Sequence, residues 1–379
     1  MFETGCDETE RALIGEARRF AEERLAPVIE DWEARRAMPE ALLREAAGRF
    51  GGLLAPEAMG GRGARVRVAA SVLAALARAD LAFGFSLVVH INLAAALSRG
   101  GTEEQRARYL PALLSGETIG AFCLTEPETG SDAASISTAA RPEGAGWRLD
   151  GEKAWVTNAA CAGLFNVFAR AGEGPGGKAM GSFLVERGDS GLEIGPAYAM
   201  LGCHVMGAGG LTLSGVRVGP DRAFAPVGEG FRAAMRGIDL ARVLLSAMCC
   251  AILDDAIETA RRSAASRRAF GAPTLDRQGV LFPLADAATA LRAAQLLTEE
   301  AIGLLDSGGD ARLAAAHAKK ASTRAAFTGI AAAMQAMGGL GFRRESRLPR
   351  HLEAAKMAEY LDGTTEIQNV VIGRALART

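Results

Sequence analysis

Excess charge of either sign is missing from this chain: 43 Lys and Arg stand against 44 Asp and Glu, a formal net charge of −1. A nucleic-acid binder normally carries a basic surplus or stripe, so that class is disfavoured. Aromatic residues are scarce at 6%. The six cysteines (Cys6, Cys123, Cys161, Cys203, Cys249 and Cys250) form no CxxC pair and lie in apolar stretches. That pattern predicts reduced, buried thiols rather than a disulfide frame or a zinc site. There is no HExxH, no Walker A and no GxSxG, and His90, His204, His317 and His351 lack metal-ligand spacing, so no metal is expected. No apolar run reaches 18 residues. The longest near-candidate, Val243 to Leu253, is interrupted by Ser246 and stops at Asp254-Asp255, so no membrane span is expected. Met1 to Arg11 is acidic and polar, without a signal-peptide apolar core, and a cytoplasmic location is the expectation.

What is present is a chain of 379 residues, 49% hydrophobic and rich in Ala and Leu, which favour helix. Three stretches follow from periodicity. Residues 1–117 read as several short helices punctuated by Pro27, Pro39, Pro56 and the glycines after Met59, with Val66 to Arg78 and Phe85 to Leu97 apolar enough to be buried. Residues 118–227 read as a β domain. Trp147 to Trp155 suggests two short strands around an Asp150-Gly151 turn, and Phe165 to Arg170, Ser182 to Glu186 and Leu211 to Val218 are further strands. Residues 228–379 read as a helix bundle, with long helices over Phe231–Ser263, Asp276–Asp306 and Asp310–Met337. A last helix starts near Thr365, where Thr365 and Gln368 have capping-box spacing.

Gly172 to Gly177 formally matches GxGxxG but holds Pro175 and runs into a strand, so it reads as a hairpin loop; a dinucleotide site needs a helix there. More specific is Phe122-Cys-Leu-Thr-Glu-Pro-Glu-Thr-Gly-Ser-Asp132, a short apolar strand leading into a rigid turn. It can present Thr125, Ser131 and backbone amides to the polar edge of a planar ring, or be a plain surface turn. Lys153-Ala-Trp-Val-Thr-Asn158 has the same character. Trp155 suits one ring face and Thr157 an edge, although Trp155 suits a core equally well. The basic run Arg343, Arg344, Arg347, Arg350 reads as a solvated face or as a surface for phosphates or an acidic partner.

These two segments and their spacing resemble the acyl-CoA dehydrogenase family, and the resemblance spans nearly the whole chain. It includes Gly101-Thr-Glu-Glu-Gln105, Gly228-Glu-Gly-Phe231, Asp239-Leu-Ala-Arg242, Arg267-Arg-Ala-Phe-Gly271, Gln335 to Phe342 and Asp362-Gly-Thr-Thr-Glu-Ile-Gln368. It implies a mostly α, α+β fold with an N-terminal helical domain, a middle β-barrel and a C-terminal four-helix bundle. It also implies FAD. Phe122, Leu124, Thr125, Trp155 and Thr157 would hold the isoalloxazine ring. Arg267, Phe270, Gln278, Gln335, Gly338 and Gly339 would reach FAD phosphates and adenosine from a neighbouring subunit, and Thr364 and Glu366 would lie on the adenine-pyrophosphate side. A homodimer or homotetramer is implied, with an electron-transfer partner or oxygen as acceptor. The implied reaction is α,β-dehydrogenation of an acyl thioester, with Ser131, Arg242 and Gly363 on the substrate side.

One departure matters. The family position for the base, just before Gly-Thr, usually holds Glu; here it is Asp362, while the alternative base position holds Ala241. Asp362 is the expected base, with about 1.5 Å less reach, a misplacement that can cost about a hundredfold. The bland alternative is that Asp362 only caps the last helix. The family's Arg-Asp pair upstream is Glu353-Ala354, and the Arg after the Met/Leu-Gly step is His204. Such divergence resembles the branch acting on carrier-protein-bound acyl groups in secondary metabolism, including makers of hydroxymalonyl extender units. A flavin monooxygenase or oxidase on the same fold and a catalytically silent thioester-binding protein remain the competing readings.

Overall fold

The computed structural model describes residues 1–378. Six helices open the chain: α1 (Glu8–Phe20), α2 (Ile29–Arg35), α3 (Glu40–Phe50), α4 (Val66–Ala77), α5 (Leu81–Gly100) and α6 (Glu103–Leu114). Their starts follow local chemistry. Asp7 and Glu10 form a capping box on α1, Thr102 and Gln105 one on α6, and the Asp80 side chain accepts from the Phe83 amide at the head of α5. Three helices (Leu81–Gly100, Gln278–Asp306 and Arg312–Phe342) are long and apolar enough to cross a membrane by length and composition. In α5 that apolarity serves the core, since 83% of its most apolar window is buried inside the protein.

The middle region is one eight-stranded sheet: β1 (Gly120–Cys123), β2 (Ala139–Glu143), β3 (Gly146–Val156), β4 (Leu164–Arg170), β5 (Met180–Glu186), β6 (Leu192–Ala197), β7 (Gly209–Val218) and β8 (Ala223–Ala225). The order is β6-β7-β3-β2-β4-β5-β8, with β1 parallel to β4. The sheet curls on itself: Phe183 of β5 stands 5.3 Å from Trp147 of β3, although two strands separate them. The expected turn at Asp150-Gly151 is corrected, because β3 runs through it as a single strand. The register against β7 shifts between Leu149 and Asp150, and Asp150 accepts the Gly215 amide at 2.8 Å. Gly151 (φ +147°) is needed because a Cβ there would lie 2.7 Å from Thr138. The Asp-Gly pair therefore builds a bulge and a close approach, not a hairpin.

The C-terminal region holds α7 (Gly230–Ser266), a short hairpin of β9 (Arg268–Ala269) and β10 (Ala272–Pro273), then α8 (Gln278–Asp306), α9 (Arg312–Met337), α10 (Leu348–Ala358) and α11 (Thr365–Leu376). α7 also packs against α4 and α5, so one apolar core runs from Ile14 through Leu73 and Leu244 to Ile330. One sequence expectation changes here. The N-cap of α11 is Thr364, not Thr365, and Gln368 turns its amide back to the Gly363 carbonyl at 2.8 Å. The arginine run leading into α10 is largely a solvated face, as expected: Arg343, Arg344 and Arg347 are exposed, Arg343 near Glu345 (3.0 Å) and Arg347 at 4.0 Å from Asp255, while Arg350 is drawn in and donates to the Ala79 carbonyl (3.0 Å). All six cysteines are free and buried, as expected.

His90 ties the helical region to β1. It is buried in α5, one ring nitrogen bonds the Leu113 carbonyl (3.1 Å), and the other accepts the Gly120 amide (3.1 Å). The pairing requires the neutral tautomer with Nε2 protonated. Burial pushes its pKa down to about 4, partly offset by the Leu113 bond. A histidine kept neutral in the fold must charge on unfolding, so this site costs stability as pH falls from about 6.5 toward 4. His90→Ala strands both backbone groups and is expected to lower stability by about 2–5 kcal/mol, measured by chemical denaturation at pH 7. It should also flatten part of the wild type's decline between pH 6.5 and 4.

Candidate active site

The segment after β1 and the end of β3 are held as one unit. The Ala154 amide donates to the Thr125 carbonyl at 2.9 Å. Beneath them Lys153, fully buried, donates to the Leu124 carbonyl (3.0 Å) and pairs with Glu126 (2.8 Å). Glu126 also accepts from the backbone amides of Ser137 and Thr138 and from the Ser137 hydroxyl. Burial alone would raise the Glu126 pKa, but the Lys153 ammonium and these donors hold it well below the usual carboxylate range.

This frame presents Phe122, Leu124, Thr125, Trp155 and Thr157 together. Trp155 adopts φ +55° and is 59% exposed, with Tyr198 leaning on it at 4.7 Å. Thr157 is buried, and no protein hydrogen bond takes the side chains of Thr125, Thr157 or Ser131 among the described residues. A strained, open indole beside unused hydroxyls fits a flat polar-edged ring.

The second group sits elsewhere. Arg267 donates to the Met337 carbonyl (3.2 Å) and lies against Gly338 (φ +61°), which brings the β9–β10 hairpin to the end of α9 near Gln335 and Gly339. At the hairpin tip Phe270 takes φ +53° and is 94% exposed; Gln278 opens α8. No hydrogen bond or ion pair joins this group to the Trp155 frame within the chain, among the described residues. Two surface clefts of about 410 and 280 Å³ contain none of these residues, and their arginines already face acids, as Arg78 does Asp254 at 2.6 Å.

Asp362 occupies the turn between α10 and α11 at φ +52°, followed by Gly363 at φ +90°. Arg242 of α7 donates through Nε to the Asp362 carbonyl (2.9 Å) and pairs with Asp239 (2.9 Å). Lys319 of α9, fully buried, donates to the carbonyls of Glu359 (2.9 Å) and Gly363 (2.8 Å). Side chains therefore clamp both ends of the turn. A Cβ on Gly363 would lie 3.1 Å from both Arg242 and Ile367, so the close packing demands glycine. The Asp362 carboxylate makes no cap to α11, and its Oδ2 is shut from solvent without a partner. Desolvation pushes its pKa up to about 6 against the opposing charges of Arg242 and Lys319. Thr364 and Glu366 start α11 beside it.

Lys319 was absent from the sequence-derived set. Its signal was available: it shares a helical face with Ala315, Ser322 and Ala326, all buried, where a lysine is out of place. Lys153 likewise opens the Lys153–Asn158 segment, where only the fold gives it a partner. Lys153→Met leaves Glu126 as a buried unpaired charge and is expected to cost about 3–5 kcal/mol by thermal denaturation, with the Lys153→Met/Glu126→Leu double variant recovering part of it.

The chain matches three family descriptions in sequence order: acyl-CoA dehydrogenase N-terminal domain over residues 7–117, middle domain over 121–216 and C-terminal domain over 228–377. It is 35% identical over 376 residues to the short-chain specific acyl-CoA dehydrogenase, mitochondrial, of Homo sapiens, covering 98% of this chain and 91% of that protein. Among solved structures it resembles the FAD complex of PigA (TM-score 0.94, 26% identity, 98% of each chain) and the prolyl acyl carrier protein oxidase AnaB (TM-score 0.93, 25% identity, 98% of this chain and 99% of that one). With these matches spanning the chain, the protein belongs to the acyl-CoA dehydrogenase family of FAD-dependent oxidoreductases.

Proposed function

We propose that the protein removes the α-proton and β-hydrogen of a short acyl thioester, carried on CoA or on a carrier protein, with Asp362 as the base. One observation carries the reading: a carboxylate oxygen without a partner, sealed from solvent, on a turn clamped by buried cations. The bound FAD supplies the acceptor for the β-hydrogen. Phe122, Leu124, Thr125, Trp155 and Thr157 would hold its ring. Arg267, Phe270, Gln278, Gln335, Gly338 and Gly339 would serve the FAD of a neighbouring subunit, and Thr364 and Glu366 would lie on its adenine-pyrophosphate side. The exposed Phe270 and the apolar residues Leu281, Phe282 and Leu296 on α8 support a homodimer or homotetramer that covers them. Domains bounded at 1–117, 118–227 and 228–379, and a cytoplasmic location, belong to the same reading.

Each chain residue has a physical task. Asp362 takes the α-proton on its carboxylate, and desolvation makes it a stronger base than an exposed aspartate. Arg242 acts as a positioning residue, because its guanidinium donates to the Asp362 carbonyl and to Asp239. Lys319 fixes the Glu359 and Gly363 carbonyls and lowers the carboxylate's cost of ionising. Ser131, exposed and unbonded, and Gly363 line the thioester side. A second reading, oxidation with oxygen as acceptor, draws support from the likeness to AnaB, named an oxidase.

Anaerobic addition of butyryl thioesters to the flavin-loaded protein should bleach the flavin, and Asp362→Asn should bind flavin yet fail to bleach. A protein purified without flavin, or bleaching retained in that variant, would sink the assignment. Aerobic hydrogen peroxide release in step with turnover would select the oxidase reading. Since the base must be ionised, log kcat/KM should rise with unit slope up to about pH 6 and then level. Lys319→Met removes a cation that favours the ionised form, so its limb should move to higher pH; a limb that stays in place would refute that role.

A further inference from the structure

Three arginines without an acidic partner gather where α5 meets α7. Asn92 of α5 donates to the Gly237 carbonyl of α7 at 2.9 Å, which fixes how these helices meet. Gly84 meets Met248 farther along, so the two run antiparallel. Arg99 lies seven residues beyond Asn92, on the same face of α5, in its last turn. Opposite it is the first part of α7, where Arg232 and Arg236 share a flank at four-residue spacing. All three are exposed, and none makes an ion pair or hydrogen bond among the described residues. Partial desolvation and the nearby Arg236 charge both lower the Arg99 pKa, as expected where two guanidiniums crowd without an acid between them. In a chain of net charge −1, three unpaired guanidiniums at one helix junction suit an anion by charge complementarity.

Its place is related to the chemistry. Phe231, Met235 and Ile238, on the same stretch of α7, pack against Leu124 and Phe168 of the Trp155 frame. Arg236 precedes Arg242, the clamp on Asp362, by six residues, about 9 Å along the helix axis. A phosphate held there would be within the span of a pantetheine arm from the carboxylate.

We propose that Arg99, Arg232 and Arg236 form the rim that binds the phosphate of a phosphopantetheine-borne thioester. This rests on the thioester reading above and names the part of the substrate that the reading left open. Guanidiniums suit a phosphate because their donors match its oxygens in pairs.

The test uses the flavin-loaded protein and the Arg99→Ala/Arg236→Ala variant. Calorimetry measures binding of CoA and of a carrier protein bearing 4′-phosphopantetheine. Flavin bleaching by butyryl-N-acetylcysteamine, which has no phosphate, runs alongside. A tenfold or greater loss of CoA affinity supports the site with CoA as the phosphate's source, and the same loss for the carrier protein supports it with the carrier as source. The Arg99→Lys/Arg236→Lys variant, which keeps the charge, should recover most of the affinity. Unchanged affinity for both ligands overturns the proposal, as does an equal loss of bleaching by the phosphate-free thioester, which would mark a packing defect. If no thioester bleaches the wild type while the arginine-dependent CoA binding holds, the dehydrogenation reading fails and the phosphate site stands.

Discussion

The buried ion pair between Lys153 and Glu126 is the constraint on which the site's architecture depends. A lysine with no solvent contact has to be compensated in full, and it is, by one carboxylate and one backbone carbonyl on the adjoining segment. Glu126 in turn collects two amides and a hydroxyl from the start of β2. Three pieces of chain distant in sequence thus share one charge pair. Leu124 and Thr125, in the segment after β1, keep fixed positions relative to Trp155 at the end of β3. His90 sets the entry angle of the same strand from the helical side.

The turn that carries Asp362 repeats the device with another geometry. Two consecutive residues take left-handed backbone, a strained arrangement that persists because its surroundings over-determine it. Arg242 and Lys319 come from different helices and bind carbonyls rather than the carboxylate itself. Their charges still favour its ionised form, while desolvation opposes it. A pKa of about 6 is the balance of those two effects, and it leaves a carboxylate that is ionised near neutral pH yet more basic than an exposed aspartate. Asp at this position is compatible with such a role because the whole turn, not only the side chain, is held in place.

Charge follows the same economy across the molecule. Beside α10, Arg343 and Arg347 face Glu345 and Asp255 within the C-terminal region, and Arg350 ties that region to the N-terminal helices at the Ala79 carbonyl. The arginines at the α5–α7 mouth are left unpaired. Near-zero net charge therefore conceals a division between structural and available cations.

Much was legible in the sequence. The helical, β and helical stretches, the buried thiols and the Phe122–Asp132 and Lys153–Asn158 segments followed from periodicity, turn chemistry and motif order, because those depend on neighbouring residues. Local signals misled where a distant partner decided. Asp150-Gly151 reads as a turn until β7 and Thr138 are placed against it, and Arg350 reads as solvated until the Ala79 carbonyl is placed beside it. Sequence by itself determined which segments would form, and that an acid, Asp362, precedes Gly363-Thr364. Only the tertiary structure decided that Asp362 is desolvated, that Lys319 and Arg242 grip its turn, and which arginines remain free. Burial and long-range pairing set those properties, and neither exists until the helices and the sheet have packed.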